Sequence, residues 1–94
     1  MKELALHYHK HVLVCINERA EGSCCSRVGG YEIFRALKEY VQANDLAGEI
    51  WITRTCCLGF CNDNGTTMVI YPDRKWFTEV KKEELPKIID EIMK

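Results

Sequence analysis

His11-Val12-Leu13-Val14-Cys15 is a short, β-branched apolar run that ends in a cysteine, and it reads as a buried strand. Upstream, His7, His9 and His11 alternate, so an extended chain puts them on one face; a polar N-terminal edge accounts for them more simply than a metal site. Downstream, residues 17–30 have the composition of a loop, with Gly22, Ser23, Ser26, Gly29 and Gly30. The apolar period then changes. Ile33/Phe34, Leu37 and Tyr40/Val41 recur at helical spacing among Glu32, Arg35, Lys38 and Glu39, and Asn44-Asp45 with Gly48 ends that helix. Ile50-Trp51-Ile52-Thr53 is a second apolar strand, followed over residues 55–66 by a loop with three cysteines and an Asn62-Asp63-Asn64-Gly65 turn.

Thr67-Met68-Val69-Ile70-Tyr71 is a third strand closed by Pro72-Asp73, and residues 75–80, with Trp76 and Phe77, pair back as a hairpin. Residues 83–94 set Leu85, Ile88, Ile89 and Ile92 on one helical face, with Pro86 in the first turn, where a missing N–H costs little. The order βαβ then ββα predicts an α/β fold of thioredoxin-like layout: a four-stranded mixed sheet with helices packed on it, two of its strands parallel through a right-handed crossover. Both cysteine loops then leave the carboxyl ends of the parallel strands and emerge at one edge of the sheet. No repeat, low-complexity tract or linker divides residues 1–94, so they are read as one domain.

Composition narrows the function. A 94-residue chain buries roughly 65% of its unfolded surface, enough for one modest core. With 47% hydrophobic and 29% charged residues the chain falls in the globular range, and a net charge of −1 gives no footprint for nucleic acid or an anionic membrane. No apolar run is long enough for membrane insertion, and Met1-Lys2-Glu3-Leu4-Ala5-Leu6-His7 lacks the apolar core of a secretory signal, so a reducing cytoplasm is the expected compartment.

Six cysteines, Cys15, Cys24, Cys25, Cys56, Cys57 and Cys61, are the unusual feature. A disulfide framework fits poorly with that compartment and with an adequate apolar pattern. A thiol–disulfide enzyme needs a Cys-x-x-Cys where the first strand meets its helix, and that position reads Cys15-Ile16-Asn17-Glu18. Four thiolates suit either a [2Fe–2S] cluster or structural zinc, but only Cys57/Cys61 or Cys56/Cys61 has the close spacing of a zinc knuckle, and spacing favours the cluster. A Rieske-type centre needs two histidine ligands, and neither cysteine loop contains one.

Val14-Cys15-Ile16-Asn17-Glu18-Arg19, Gly22-Ser23-Cys24, Cys57-Leu58-Gly59-Phe60-Cys61 and Val69-Ile70-Tyr71-Pro72-Asp73 with Trp76 resemble the thioredoxin-like [2Fe–2S] ferredoxins. They are also similar to the cluster domain in the small iron–sulfur subunit of NADH:quinone oxidoreductases. The resemblance implies one [2Fe–2S] cluster per chain on Cys15, Cys24, Cys57 and Cys61, near the surface. It implies a one-electron carrier rather than an enzyme, serving a reductase, dehydrogenase or hydrogenase, and a homodimer. The Gly22-Ser23-Cys24 and Cys57-Leu58-Gly59 matches favour those ligands over the adjacent Cys25 and Cys56, which leave a one-residue shift open. The simplest reading of Cys25 and Cys56 is as small buried thiols; the sharper one is as reserve ligands. Gly65-Thr66 departs from the family, which often has proline there, and so alters the rigidity of the loop.

The remaining candidates have plain readings. Gly29-Gly30 gives backbone freedom at a helix entrance, without the motif of a phosphate loop. Trp51, Trp76 and Phe77 pack on the sheet face, with Trp76 or Phe77 a candidate dimer contact. Arg19 and Arg27 are either solvated charge or tuning groups beside an anionic cluster.

Overall fold

The computed structural model describes residues 1–6, 9–16, 29–60 and 65–94. Its elements are β1 (Lys10–Cys15), α1 (Gly30–Ala43), β2 (Ile50–Thr55), β3 (Thr66–Tyr71), β4 (Lys75–Val80), a 3-10 turn (Lys82–Glu84) and α2 (Leu85–Met93). They form one mixed sheet in the order β2-β1-β3-β4, in which β1 runs parallel to β2 and antiparallel to β3, and β3 antiparallel to β4. This is the layout expected from the βαβ and ββα patterns.

Period-2 alternation decides which side of the sheet is dry. Val12 and Val14 of β1, Ile50 and Ile52 of β2, and Met68 and Ile70 of β3 join Ile33, Leu37 and Val41 of α1 and Ile88 and Ile92 of α2 in one core. Burying each such side chain contributes about 1.5–3 kcal/mol. Residues of the opposite parity stand on the other face. There the register sets His11 beside Trp51 and Tyr71, and Leu13 beside Thr53 and Val69, and the two tryptophans Trp51 and Trp76 are each 45% exposed. Their packing is therefore one-sided, whereas Phe77, paired with Met68, packs on the core. His11 is part of β1 rather than of a polar edge: its Nε2 lies 2.8 Å from Thr53 Oγ1 and its ring meets Trp51 edge-on. His7 lies outside the described residues.

Local chemistry sets the element ends. Gly29 enters α1 with φ +96°, a left-handed conformation that glycine adopts without steric cost, and its carbonyl accepts the first helical bond from Ile33 N–H at 3.0 Å. At the other end Asp45 takes φ +56° and Leu46 N–H returns to the Val41 carbonyl at 2.8 Å, closing the helix where Asn44-Asp45 predicted a stop. Before α2, Lys81 N–H donates to Glu84 Oε1 at 3.1 Å, and Pro86 sits in the first turn.

Lys10 is the exception on the core face. It is only 3% exposed, and its ammonium reaches across the sheet to the carboxylate of Asp73 in the β3–β4 turn. That hydrogen bond, with the lysine's charge, holds the Asp73 carboxyl below the usual carboxylate range. A lone lysine ahead of a buried strand was the signal for this pair, but nothing local named its partner.

Candidate metal centre

Parallel pairing builds the site. Cys15, the last residue of β1, pairs with Thr55, the last residue of β2, and Ile16 N–H donates to the Thr55 carbonyl at 3.0 Å. Adjacent strands lie about 4.8 Å apart, so Cys15 and the segment opening with Cys56-Cys57 leave the same end of the sheet side by side. The β3 strand runs the other way, so its first residue arrives at that same end, and Thr66 Oγ1 donates to the Cys15 carbonyl at 2.7 Å.

Cys15 is buried, whereas Cys56 and Cys57 are exposed. The expectation of a buried Cys56 is thus corrected: Thr55 is the final rung of the ladder, and the chain beyond it runs off the sheet into solvent. The two adjacent cysteines have different surroundings. Gly59 N–H donates to Cys57 Sγ at 3.2 Å, while the contact at Cys56 is through its backbone carbonyl, which accepts from Thr55 Oγ1 at 2.8 Å. Gly59 adopts φ +96°, the left-handed turn that brings its amide back to that sulfur.

The loop is tied down from both sides. Thr67 Oγ1 donates to the Phe60 carbonyl at 3.2 Å, and the Phe60 ring meets Trp76 edge-on with centroids 5.8 Å apart. The two threonines, Thr66 and Thr67, escaped the sequence reading, which treated Gly65-Thr66 as a matter of loop rigidity. Their signal was a pair of hydroxyls opening a strand whose other positions are apolar. Cys24, Cys25, Cys61, Arg19 and Arg27 lie outside the described residues. Among the described residues, no group of three histidine, cysteine or acidic side chains is arranged to hold a metal ion. The donor chemistry nevertheless fits a cluster: of the four expected thiolates, Cys15 and Cys57 stand at one sheet end, and a backbone amide already serves one of them.

Comparison with known proteins agrees with this fold. No family model matches the sequence. The fold is that of the thioredoxin-like [2Fe–2S] ferredoxin of Aquifex aeolicus: its wild-type crystal structure gives a TM-score of 0.78 at 34% identity, covering 90% of this chain and 85% of that one. A second structure of that ferredoxin gives 0.80 at 34% identity, covering 94% of this chain and 83% of that one. Among curated proteins, a 2Fe-2S ferredoxin of Aquifex aeolicus (strain VF5) is 37% identical over 90 residues, covering 90% of this chain and 79% of the relative. A protein of Priestia megaterium described as a 2Fe-2S ferredoxin is 33% identical over 81 residues, and the chain spans 58% of its length.

The thioredoxin-like sheet, together with relatives that are 2Fe-2S ferredoxins, places the chain in an iron–sulfur protein class. The chain belongs to the thioredoxin-like [2Fe–2S] ferredoxins, a family of electron carriers. No helix among the described residues is long and apolar enough to cross a membrane.

Proposed function

We propose that residues 1–94 act as one domain holding one [2Fe–2S] cluster on Cys15, Cys24, Cys57 and Cys61, and that the protein passes single electrons between redox enzymes without catalysis of its own. The observation that carries this reading is the Cys15↔Thr55 pairing, which delivers Cys15 and the Cys56-Cys57 segment to one end of the sheet. The hydrogen bond from Gly59 to Cys57 Sγ favours Cys57 over Cys56 as the ligand on that loop.

A bound [2Fe–2S] cluster supplies one-electron redox chemistry. The protein's part is to hold the sulfur ligands rigidly and to place donors beside them. An amide donor on a thiolate stabilises negative charge there, so the Gly59 N–H favours the more negative, reduced state. Burial of Cys15 acts in the opposite direction, because a drier site disfavours added charge.

The partners fitting this role are a reductase, dehydrogenase or hydrogenase in the cytoplasm, met through a small, short-lived interface. Self-association as a homodimer is supported by the sheet face opposite the helices, where Trp51, Tyr71 and Trp76 are exposed. The test is anaerobic purification: reddish-brown protein with about two irons and two sulfides per chain is expected. A colourless protein that retains zinc after reconstitution with iron and sulfide overturns the reading, and dithiol-dependent insulin reduction replaces it with thiol–disulfide exchange.

A further inference from the structure

The peptide unit that follows Cys15 is fixed at both of its polar groups. Its carbonyl, that of Cys15, accepts from Thr66 Oγ1 at 2.7 Å in the buried interior. Its amide, that of Ile16, donates to the Thr55 carbonyl at 3.0 Å. Thr66 is fully buried, and the contact joins residues 51 positions apart.

A side chain performs this task because the ladder has run out. The β1–β3 pairing ends at Val14↔Met68, and the β3–β4 register shifts between Thr66 and Met68. At the same corner Gly65 lies against the backbone of Glu79 and Val80, so closely that a Cβ would come within 2.3 Å of the Glu79 carbonyl carbon. The backbone is crowded there, and the hydroxyl of Thr66 supplies the donor just beyond the last rung. Losing a donor from a buried carbonyl is costly, because water is not at hand to replace it.

We infer that Thr66 is a positioning residue for Cys15: its hydroxyl, acting with the Thr55 carbonyl, sets the plane from which the Cys15 side chain departs toward the metal centre. The inference rests on Cys15 being a cluster ligand. Groups that hold a ligand in place, without touching the metal, typically alter metal affinity by 10–100-fold when removed. Thr66→Val keeps the shape and deletes the donor, and Thr66→Ser keeps the donor and deletes the methyl.

The test compares anaerobically purified holo-proteins by EPR of the reduced form and by the rate of iron release to a chelator. Thr66→Val is expected to shift the g-values and to release iron roughly tenfold or more faster, while Thr66→Ser matches the parent. If the valine variant does not fold, Thr66→Ala is judged by the same criteria. A donor-less variant with the parent's g-values and release rate overturns the inference even if its melting temperature falls, and so does a serine variant as altered as the valine one. Cys15→Ser separates the two claims. An unchanged EPR spectrum in that variant removes Cys15 from the ligand set and ends the reading beneath; a changed one beside an inert Thr66→Val ends only the positioning role.

Discussion

Phe60 leans edge-on against Trp76, the ring centroids 5.8 Å apart, and so fastens the cysteine loop after β2 to the outermost strand β4. Trp76 pairs with Val69, three residues along β3 from Thr66, so the loop is fastened away from the corner at which Thr66 meets Cys15. An aromatic pair of this geometry contributes about 0.5–1.5 kcal/mol beyond its buried area. Phe60→Ala is expected to lower stability by about 1 kcal/mol and to change the emission of Trp76, read in urea titrations of a Trp51→Phe background. An unchanged midpoint and unchanged emission would show that the loop is held without this contact.

Gly65 has no room for a side chain. A Cβ there would stand 2.3 Å from the Glu79 carbonyl carbon and 2.6 Å from both Val80 N and Val80 O, all of them backbone atoms that cannot swing aside. Gly65→Ala is expected to destabilise by about 1–3 kcal/mol through forced overpacking, with the β3–β4 register the first feature to suffer. Gly48, with nothing within 4 Å of its Cβ position, is the control. Equal stabilities for the two alanine variants would refute the argument.

The Lys10–Asp73 pair predicts a dependence on acid. Asp73 titrates below its ordinary value in the folded protein, chiefly through the hydrogen bond from Lys10, so its contribution is complete above the unfolded carboxylate value near 3.8 and is lost as pH falls through the lower folded one. Glu91, held down in the same direction by Lys94 and Lys75, adds to this slope. Lys94, raised by Glu91, contributes fully below its ordinary value of 10.5 and loses that contribution as pH climbs past the folded value. Asp73→Asn is expected to flatten the acid limb of stability against pH in urea titrations. An acid limb as steep as the parent's would assign it to other carboxylates.

Cys56 is exposed and adjacent to Cys57, so its thiol is available for exchange at the metal centre. Cys57→Ser is expected to yield a coloured protein with an altered visible spectrum, and Cys57→Ser combined with Cys56→Ser a protein that retains far less iron. Complete loss of colour in the single variant would remove Cys56 from the role of reserve ligand.

Sequence pattern alone determined the element order, because β-branched runs such as 11–15 and the helical spacing of Ile33, Leu37 and Val41 carry their burial in their period. It also singled out the cysteines proposed as ligands, since sulfur spacing and motif are one-dimensional properties. Tertiary structure decided what surrounds those sulfurs. Thr66 reaches Cys15 across 51 positions and Lys10 reaches Asp73 across 63, and no local propensity encodes a partner so remote. The ladder's end at Thr55, which turns Cys56 outward, and the one-sided placement of both helices, which leaves Trp51 and Trp76 half-exposed, were fixed in the same way. Periodicity says that a residue has an inner or an outer side; only the packed chain says what meets it there.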